Sequence, residues 1–388
     1  MAHKPFNLYK RPTRKKNKYT WYVRFYDEEG NRLPGRSTNQ TSKSAAEIWA
    51  YEQLKKGIIS SQKNITFGKY AQDWWIWSKC SYIKGKIARG GDISRAYADL
   101  MRAYLENHIL PYFEKIKLQK INVRLIEKWL MNLSEKTGRT GIVLSPSTVN
   151  HCLTCFKIMM RESVRLEYLN KNPADLIIQL KEKPKERSVL TIDEVKELFR
   201  EDKIQHVWGG DLRHYTLNLL AASTGMRLAE CQALQIQHVH DSHISIVQSW
   251  DPKYGLKKPK RNSQREVPIP KKTSVYLQDL ISISPYREDE DLIFFGNDRK
   301  SPIRGELVLK ELYRAFENIG ISAEERKSRN ITFHSWRHFY NSLLRGKIHD
   351  AKLRRLTGHR TLEMTEHYTH FNIEDFKDVM RIQEHYFE

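Results

Sequence analysis

The ten residues from Leu180 to Val189, LKEKPKERSV, constrain this chain more than any other stretch. They are dense in charge, contain a proline and present no apolar face, so a regular element running through them would have nothing to bury. Apolar residues on either side must therefore form separate cores. With 388 residues there is length for two or three domains, each with a core of its own. The expected partition is 1–60, 61–179 and 180–388.

Residues 1–60 carry 13 Lys and Arg against 5 Asp and Glu. Trp21, Val23 and Phe25 alternate with Tyr22, Arg24 and Tyr26, the period of a strand with two unlike faces. Asp27 to Gly30 reads as a turn, and a second strand is expected from about Asn31 to Thr38. Ser42 is placed to cap a helix bearing Ala46, Ile48, Trp49 and Leu54. Beside this small sheet lies a basic arm, Lys10 to Lys18. Sheets of two or three strands fit a DNA major groove, so Lys10, Arg11, Arg14, Lys15, Lys16, Tyr22 and Arg24 are candidate DNA contacts. The plainer reading is that these charges only solvate a very small domain.

Past a polar linker at Ile58 to Thr66 the period becomes helical. Tyr70, Ala71, Trp74, Trp75 and Ile76 form a first apolar stripe. Gly85, Gly90 and Gly91 interleaved with Lys84, Lys86 and Arg89 predict a basic loop, whose three cations are also candidate DNA contacts. A helix through Tyr97 to His108, a break at Pro111 and a helix from Val123 to Leu133 follow. Ser145 before Pro146 is an N-cap with a first-turn proline, opening a helix to about Arg165. Cys152 and Cys155 lie inside that helix, with no second pair to complete a zinc site, so structural burial is the simpler account.

After the charged divide, Thr191 and Glu194 form a capping box. A helix over Leu212 to Ser223 ends at Thr224-Gly225. The segment TGMRLAE then puts Arg227 one turn before Glu230, near enough for the carboxylate to orient the guanidinium. By itself this pair would pass for a surface salt bridge. Strands are expected at Ser245 to Ser249 and Arg265 to Pro270, flanking a cationic hairpin with Lys257, Lys258, Lys260 and Arg261. A helix bearing Val275, Leu277 and Leu280, a strand-like Leu292 to Phe295 and a helix from Glu306 to Ile319 lead to the last third.

There HSWRH is followed by TGHRTLEMTEHYTH, spacing His334, Arg337, His359 and Tyr368 by three, twenty-two and nine residues. Positions three apart share a helix face, so His334 and Arg337 can reach one anion together. With 15 His and 19 Tyr in the chain, this row alone is weak. A zinc site at His334 and His338 would need a glutamate where Ser335 stands, and Arg337 would repel the cation. The net charge of +21 exceeds what solubility requires and points to a polyanionic partner.

In chain order, Arg227, Lys260, His334, Arg337, His359 and Tyr368 resemble the active-site set of the tyrosine recombinases, the integrases of phages and conjugative elements. TGMRLAE resembles the family's first arginine box, KRNSQREVPI its lysine hairpin, HSWRH its second box and TGHRTLEMTEHYTH its last. LSPSTVNHCL and YLNKNPA are similar to its core-binding domain, and the N-terminal sheet to its arm-type domain. Trp336 and Arg360 depart from the commoner residues, and Lys258 competes with Lys260 for the lysine's place.

The resemblance implies a multidomain fold: a small α+β sheet-plus-helix domain, an all-α core-binding domain and a mainly-α catalytic domain with a small antiparallel sheet. It implies attack by Tyr368 on a DNA phosphodiester, with Arg227 and Arg337 on the phosphoryl oxygens and Lys260 as general acid. His334 would take part in proton transfer, His359 would hydrogen-bond the phosphate and Glu230 would orient Arg227. No cofactor and no metal are expected. The implied partners are double-stranded DNA with core and arm sites, three further protomers in a tetramer joined by exchanged C-terminal tails, and accessory DNA-bending and excision proteins. With neither a secretory signal nor a membrane span in the sequence, a cytoplasmic, nucleoid-associated location is expected. A type IB topoisomerase and a catalytically silent DNA-binding regulator are the rival readings.

Overall fold

A computed structural model of the chain describes residues 5–13, 18–26, 32–55, 65–138, 141–182, 188–259 and 263–358. The chain divides into two compact units, Met1–Lys183 and Pro184–Glu388, which part within the charged stretch.

The first unit begins with an antiparallel sheet of β1 (Phe6–Pro12), β2 (Tyr19–Phe25) and β3 (Arg36–Gln40) in that order, followed by helix α1 (Lys43–Lys55). The register sets Phe6 beside Phe25 and Leu8 beside Val23. With Trp49, Leu54 and Ala50 of α1 these residues make a small core. Two expectations shift here. Lys10 and Arg11 belong to β1 rather than to a free arm, because pairing with Trp21 and Thr20 satisfies their backbone groups. The strand expected at Asn31 to Thr38 starts at Arg36, and the register slips between Trp21 and Tyr22, where Thr38 Oγ1 donates to the Trp21 carbonyl at 2.7 Å.

The rest of this unit is helical: α2 (Phe67–Ala71), α3 (Ser81–Ala88), α4 (Arg95–Tyr104), α5 (Leu110–Phe113), α6 (Val123–Glu135) and α7 (Pro146–Arg165). Its core is aromatic. Phe156 of α7 stacks on Phe113 at 4.7 Å and on Phe67 at 5.5 Å between ring centres, and Trp129 closes over it. Each such ring contributes roughly 1.5–3 kcal/mol by leaving water.

The Ser145 cap is present, accepting from the Thr148 amide at 3.2 Å. Cys152 and Cys155 are buried, and burial pushes the Cys152 thiol up to about 12. The first part of the expected basic loop, by contrast, is a helix, and only Gly90 and Gly91 lie beyond its Arg89 cap. Lys84, Gly85 and Lys86 lie inside α3, where burying Ile83 outweighs the cost of a mid-helix glycine, about 1 kcal/mol. Pro111 does not break the chain either. A turn of π-helix over Leu105–Ile109 carries α4 into α5, and the proline falls in the first turn of α5, where its missing N–H costs nothing. The stripe from Tyr70 to Ile76 is helical only as far as Ala71.

The second unit contains α8 (Ile192–Leu198), α9 (Ile204–Trp208), α10 (Leu212–Thr224), α11 (Leu228–Gln232), β4 (His243–Ile246), β5 (Ser249–Asp251), β6 (Gly255–Lys257), β7 (Arg265–Pro268), α12 (Lys271–Ile283), α13 (Gly305–Asn318), α14 (Ala323–Ser328), α15 (Ser335–Leu344) and α16 (Asp350–Thr357). Helix α10 is buried on nearly every side and packs against α12 and α15. The Thr191–Glu194 capping box starts α8 as expected. Trp336 is accounted for: it is buried, and its indole N–H donates to Asn218 of α10 at 2.9 Å.

The sheet differs in detail from its expectation. β4 pairs with β7, while β5 and β6 form a separate hairpin that takes in Gly255 to Lys257 from the supposed loop. Leu292 and Phe295 pair only through single bridges. Val275 is exposed, whereas Leu277 and Leu280 are buried. Among the described residues, no helix is long and apolar enough to cross a membrane.

Candidate active site

Helix α10 ends at Gly225, which adopts the left-handed region with φ +66°. A Cβ there would come within 2.7 Å of the Tyr340 ring, so glycine is required by both conformation and space. The turn delivers Arg227 to the N-cap of α11. From there its Nη1 donates to Glu230 Oε1 at 2.8 Å, and its backbone amide donates to Oε2 at 3.0 Å. The expected pair is thus formed, but it is no surface bridge: the Glu230 side chain is 1% exposed and that of Arg227 30%.

Arg337 is buried within α15. Its Nη1 donates to the Gly225 carbonyl at 2.9 Å, and its Nη2 donates to the Thr357 carbonyl at the end of α16. The first arginine box, the second, and the segment leading to His359 therefore meet at one guanidinium. A cation at the carbonyl end of a helix is favoured by the helix dipole and by the unpaired carbonyls there. His334 occupies the N-cap position of α15, one turn before Arg337, and its ring packs edge-on against His338 at 5.3 Å. Lys260, His359 and Tyr368 lie outside the described residues, as do Arg14, Lys15, Lys16 and the tail beyond Gly358.

One residue was missed by the sequence reasoning. Arg265, at the start of β7, faces inward and donates to Glu230 through Nη2 at 2.8 Å and Nη1 at 3.3 Å. It also donates through Nε to the Leu356 carbonyl at 2.7 Å. The available signal was parity: Arg265 alternates with Glu266 in step with the core residue Val267. Burial alone would push the Glu230 carboxyl up, but the Arg265 guanidinium with its hydrogen bonds, and then Arg227, hold it down at about 2. The site stays ionised and cationic: two guanidinium groups, of Arg227 and Arg265, flank one carboxylate, and that of Arg337 is seated on the carbonyls of Gly225 and Thr357.

The sheet candidates divide between its two faces. Tyr9, Arg11, Tyr22 and Arg24 share the face turned from the small core. There Tyr9 and Tyr22 lie 5.8 Å apart, Arg11 sits 5.0 Å over Tyr22 and Arg24 sits 5.3 Å over Tyr9. Lys10 lies on the opposite face, over Tyr19 at 4.2 Å. Lys84 and Lys86 belong to α3, and Arg89 caps that helix.

The described fold is a small sheet with a helical unit, followed by a mainly helical unit with a buried arginine–carboxylate centre. The model of the Phage integrase family matches residues 188–374, and that of the Phage integrase, N-terminal SAM-like domain matches residues 90–134. Tyrosine recombinase XerC of Pediococcus pentosaceus is 24% identical over 308 residues, covering 74% of this chain and 95% of that one. Among solved structures, the Tn1549 transposon integrase in complex with a circular intermediate DNA covers 77% of this chain and 97% of its own, with TM-score 0.59 and 19% identity. A lambda integrase tetramer bound to a Holliday junction covers 95% and 96%, with TM-score 0.57 and 16% identity. The chain belongs to the phage integrase family of tyrosine recombinases, and its enzyme class is site-specific DNA recombinase.

Proposed function

We propose that this protein integrates and excises a mobile element by cutting and rejoining DNA through a 3′-phosphotyrosyl intermediate. The observation that carries the reading is the seat of Arg337 between the carbonyls of Gly225 and Thr357, which draws the separated boxes to one cationic point. A phosphodiester is the anion that such a point suits.

In the reaction the Tyr368 oxygen bonds to phosphorus, the bond from phosphorus to the 5′-oxygen breaks, and that oxygen takes up a proton. Attack by a second strand's 5′-hydroxyl reverses the step on a new partner. Because the phosphoester energy stays in the covalent link, no nucleotide is consumed. Free tyrosine, with pKa about 10, is ionised only about one part in a thousand at neutral pH. Arg227 and Arg337 favour the phenolate and neutralise the phosphoryl oxygens as charge builds. Lys260 protonates the leaving oxygen, His334 takes part in proton transfer, His359 hydrogen-bonds the phosphate, and Glu230 fixes Arg227.

Coverage favours a mobile element over a Xer-type role. Three quarters of this chain accounts for nearly all of XerC, whereas the likeness to lambda integrase runs over 95% of it. The surplus fits the N-terminal sheet, whose Arg11, Arg24, Tyr9 and Tyr22 face suits a second, arm-type DNA site. Double-stranded DNA with core and arm sites is then the substrate, and accessory bending and excision proteins act on the same DNA. Tetramer assembly follows if Phe371, Phe376, Val379 and Met380 of one tail enter a neighbour's apolar groove, such as that of about 1200 Å³ lined by Leu219, Phe339, Leu343, Leu344, Ile348 and Leu356. A chain cut after His370 should then assemble no tetramer on a Holliday junction in native gels.

The central test uses a nicked core-site substrate that traps the covalent product. Tyr368→Phe should retain DNA binding and form no protein–DNA adduct. An adduct persisting in that variant overturns the assignment.

A further inference from the structure

We propose that Arg265 is a positioning residue of the strand-transfer reaction, holding Arg227 in its working orientation through Glu230. The proposal rests on the strand-transfer reading above. A guanidinium only 2% exposed on the side chain is costly to bury, and an apolar residue could fill the inward side of β7 beside Val267 without that cost.

What the charge supplies is geometry. Oε1 of Glu230 accepts from Nη1 of both Arg227 and Arg265, and Oε2 accepts from the Arg227 amide and from Arg265 Nη2. With both oxygens engaged from two sides, the carboxylate cannot rotate. Arg227, the partly exposed member of the three, is thereby presented to a ligand in one orientation. The same Arg265 fork reaches the Ser263 carbonyl at 3.2 Å, just past the lysine loop, and the Leu356 carbonyl, just before the turn to His359. One planar cation thus ties three segments of the site to a single carboxylate. Lysine, a point donor on a flexible stem, cannot reproduce this fork.

The test uses the full chain, a nicked core-site duplex and single-turnover adduct formation for wild type, Arg265→Lys, Arg227→Ala and the double variant, together with DNA affinity and melting temperature. Arg265→Lys should slow adduct formation by about 30-fold or more while DNA affinity stays within about threefold, since the lost alignment acts on the transition state. In the Arg227→Ala background the same change should cost less than about threefold, because a residue acting through Arg227 has nothing left to position.

A wild-type rate in Arg265→Lys overturns the proposal, and so does a full multiplication of losses in the double variant, which marks an independent structural role. Should Arg265→Lys fail to fold, Arg265→Gln is measured against the same outcomes, and failure of both to fold also overturns it. A wild-type chain that forms no adduct strikes the strand-transfer reading first and carries this proposal with it, so the two failures are distinguishable.

Discussion

The buried arginine–carboxylate centre and the N-terminal sheet both gather arginines, yet they hold them in opposite ways. Arg265 and Arg337 are buried and fixed by a carboxylate and by the carbonyls of Gly225, Leu356 and Thr357. Arg11 and Arg24 lie over tyrosine rings on the outer face of a sheet only three strands wide. A fixed guanidinium can be complementary to one transition state, and it needs no reorganisation when charge develops. A stacked one keeps its freedom to follow a phosphate backbone, at a worth of about 0.5–1 kcal/mol per cation–π pair. Chemistry calls for the first arrangement and adaptable binding for the second.

The sharpest way to break this contrast is to remove a guanidinium from the buried centre. Arg337→Ala should lower single-turnover cleavage by on the order of 100- to 1,000-fold, the usual cost of losing a preorganised donor. It should also lower the melting temperature, since two buried carbonyls lose their partner. Retained cleavage in that variant would remove the distinction between the two regions.

A smaller and purely thermodynamic effect concerns Glu230, whose carboxyl is held at about 2 when folded, against an ordinary value near 4.5. A depressed carboxyl contributes stability that is fully present above the ordinary value and is lost as pH falls toward the folded one. Urea unfolding midpoints of wild type and Glu230→Gln should therefore converge as pH drops from about 5 to about 2. A gap that stays constant over this range would show that Glu230 is not held ionised.

The smallest effect is expected at the sheet. Replacing Arg11 and Arg24 together by alanine should weaken binding to one class of DNA site and leave cleavage at the core site unchanged. The salt slope of binding should fall by about 1 for each phosphate that the sheet no longer neutralises. Equal weakening at both classes of site would merge the two regions into one DNA-binding surface.

Local signals were legible where the responsible physics is local. Ser145 with Pro146, and Thr191 with Glu194, start helices because their hydrogen bonds span only three residues. The Arg227–Glu230 pair could be read for the same reason. The helix over Lys84 to Lys86 was hidden because its stability comes from Ile83 buried in a core that no short window contains. Pro111 was misjudged because a π turn resets the helix just before it.

The sequence by itself determined the order and spacing of the chemical groups and the charged divide, since composition and period are properties of the chain alone. Tertiary structure decided which of those groups meet. Glu230 and Arg265 are 35 positions apart and form one buried ion pair, and Arg337 reaches Gly225 across 112. No local pattern can encode such pairings, because they form only when α11 and α15 are packed against α10 and β7 against α16, where the buried charges must find partners or stay out of the core.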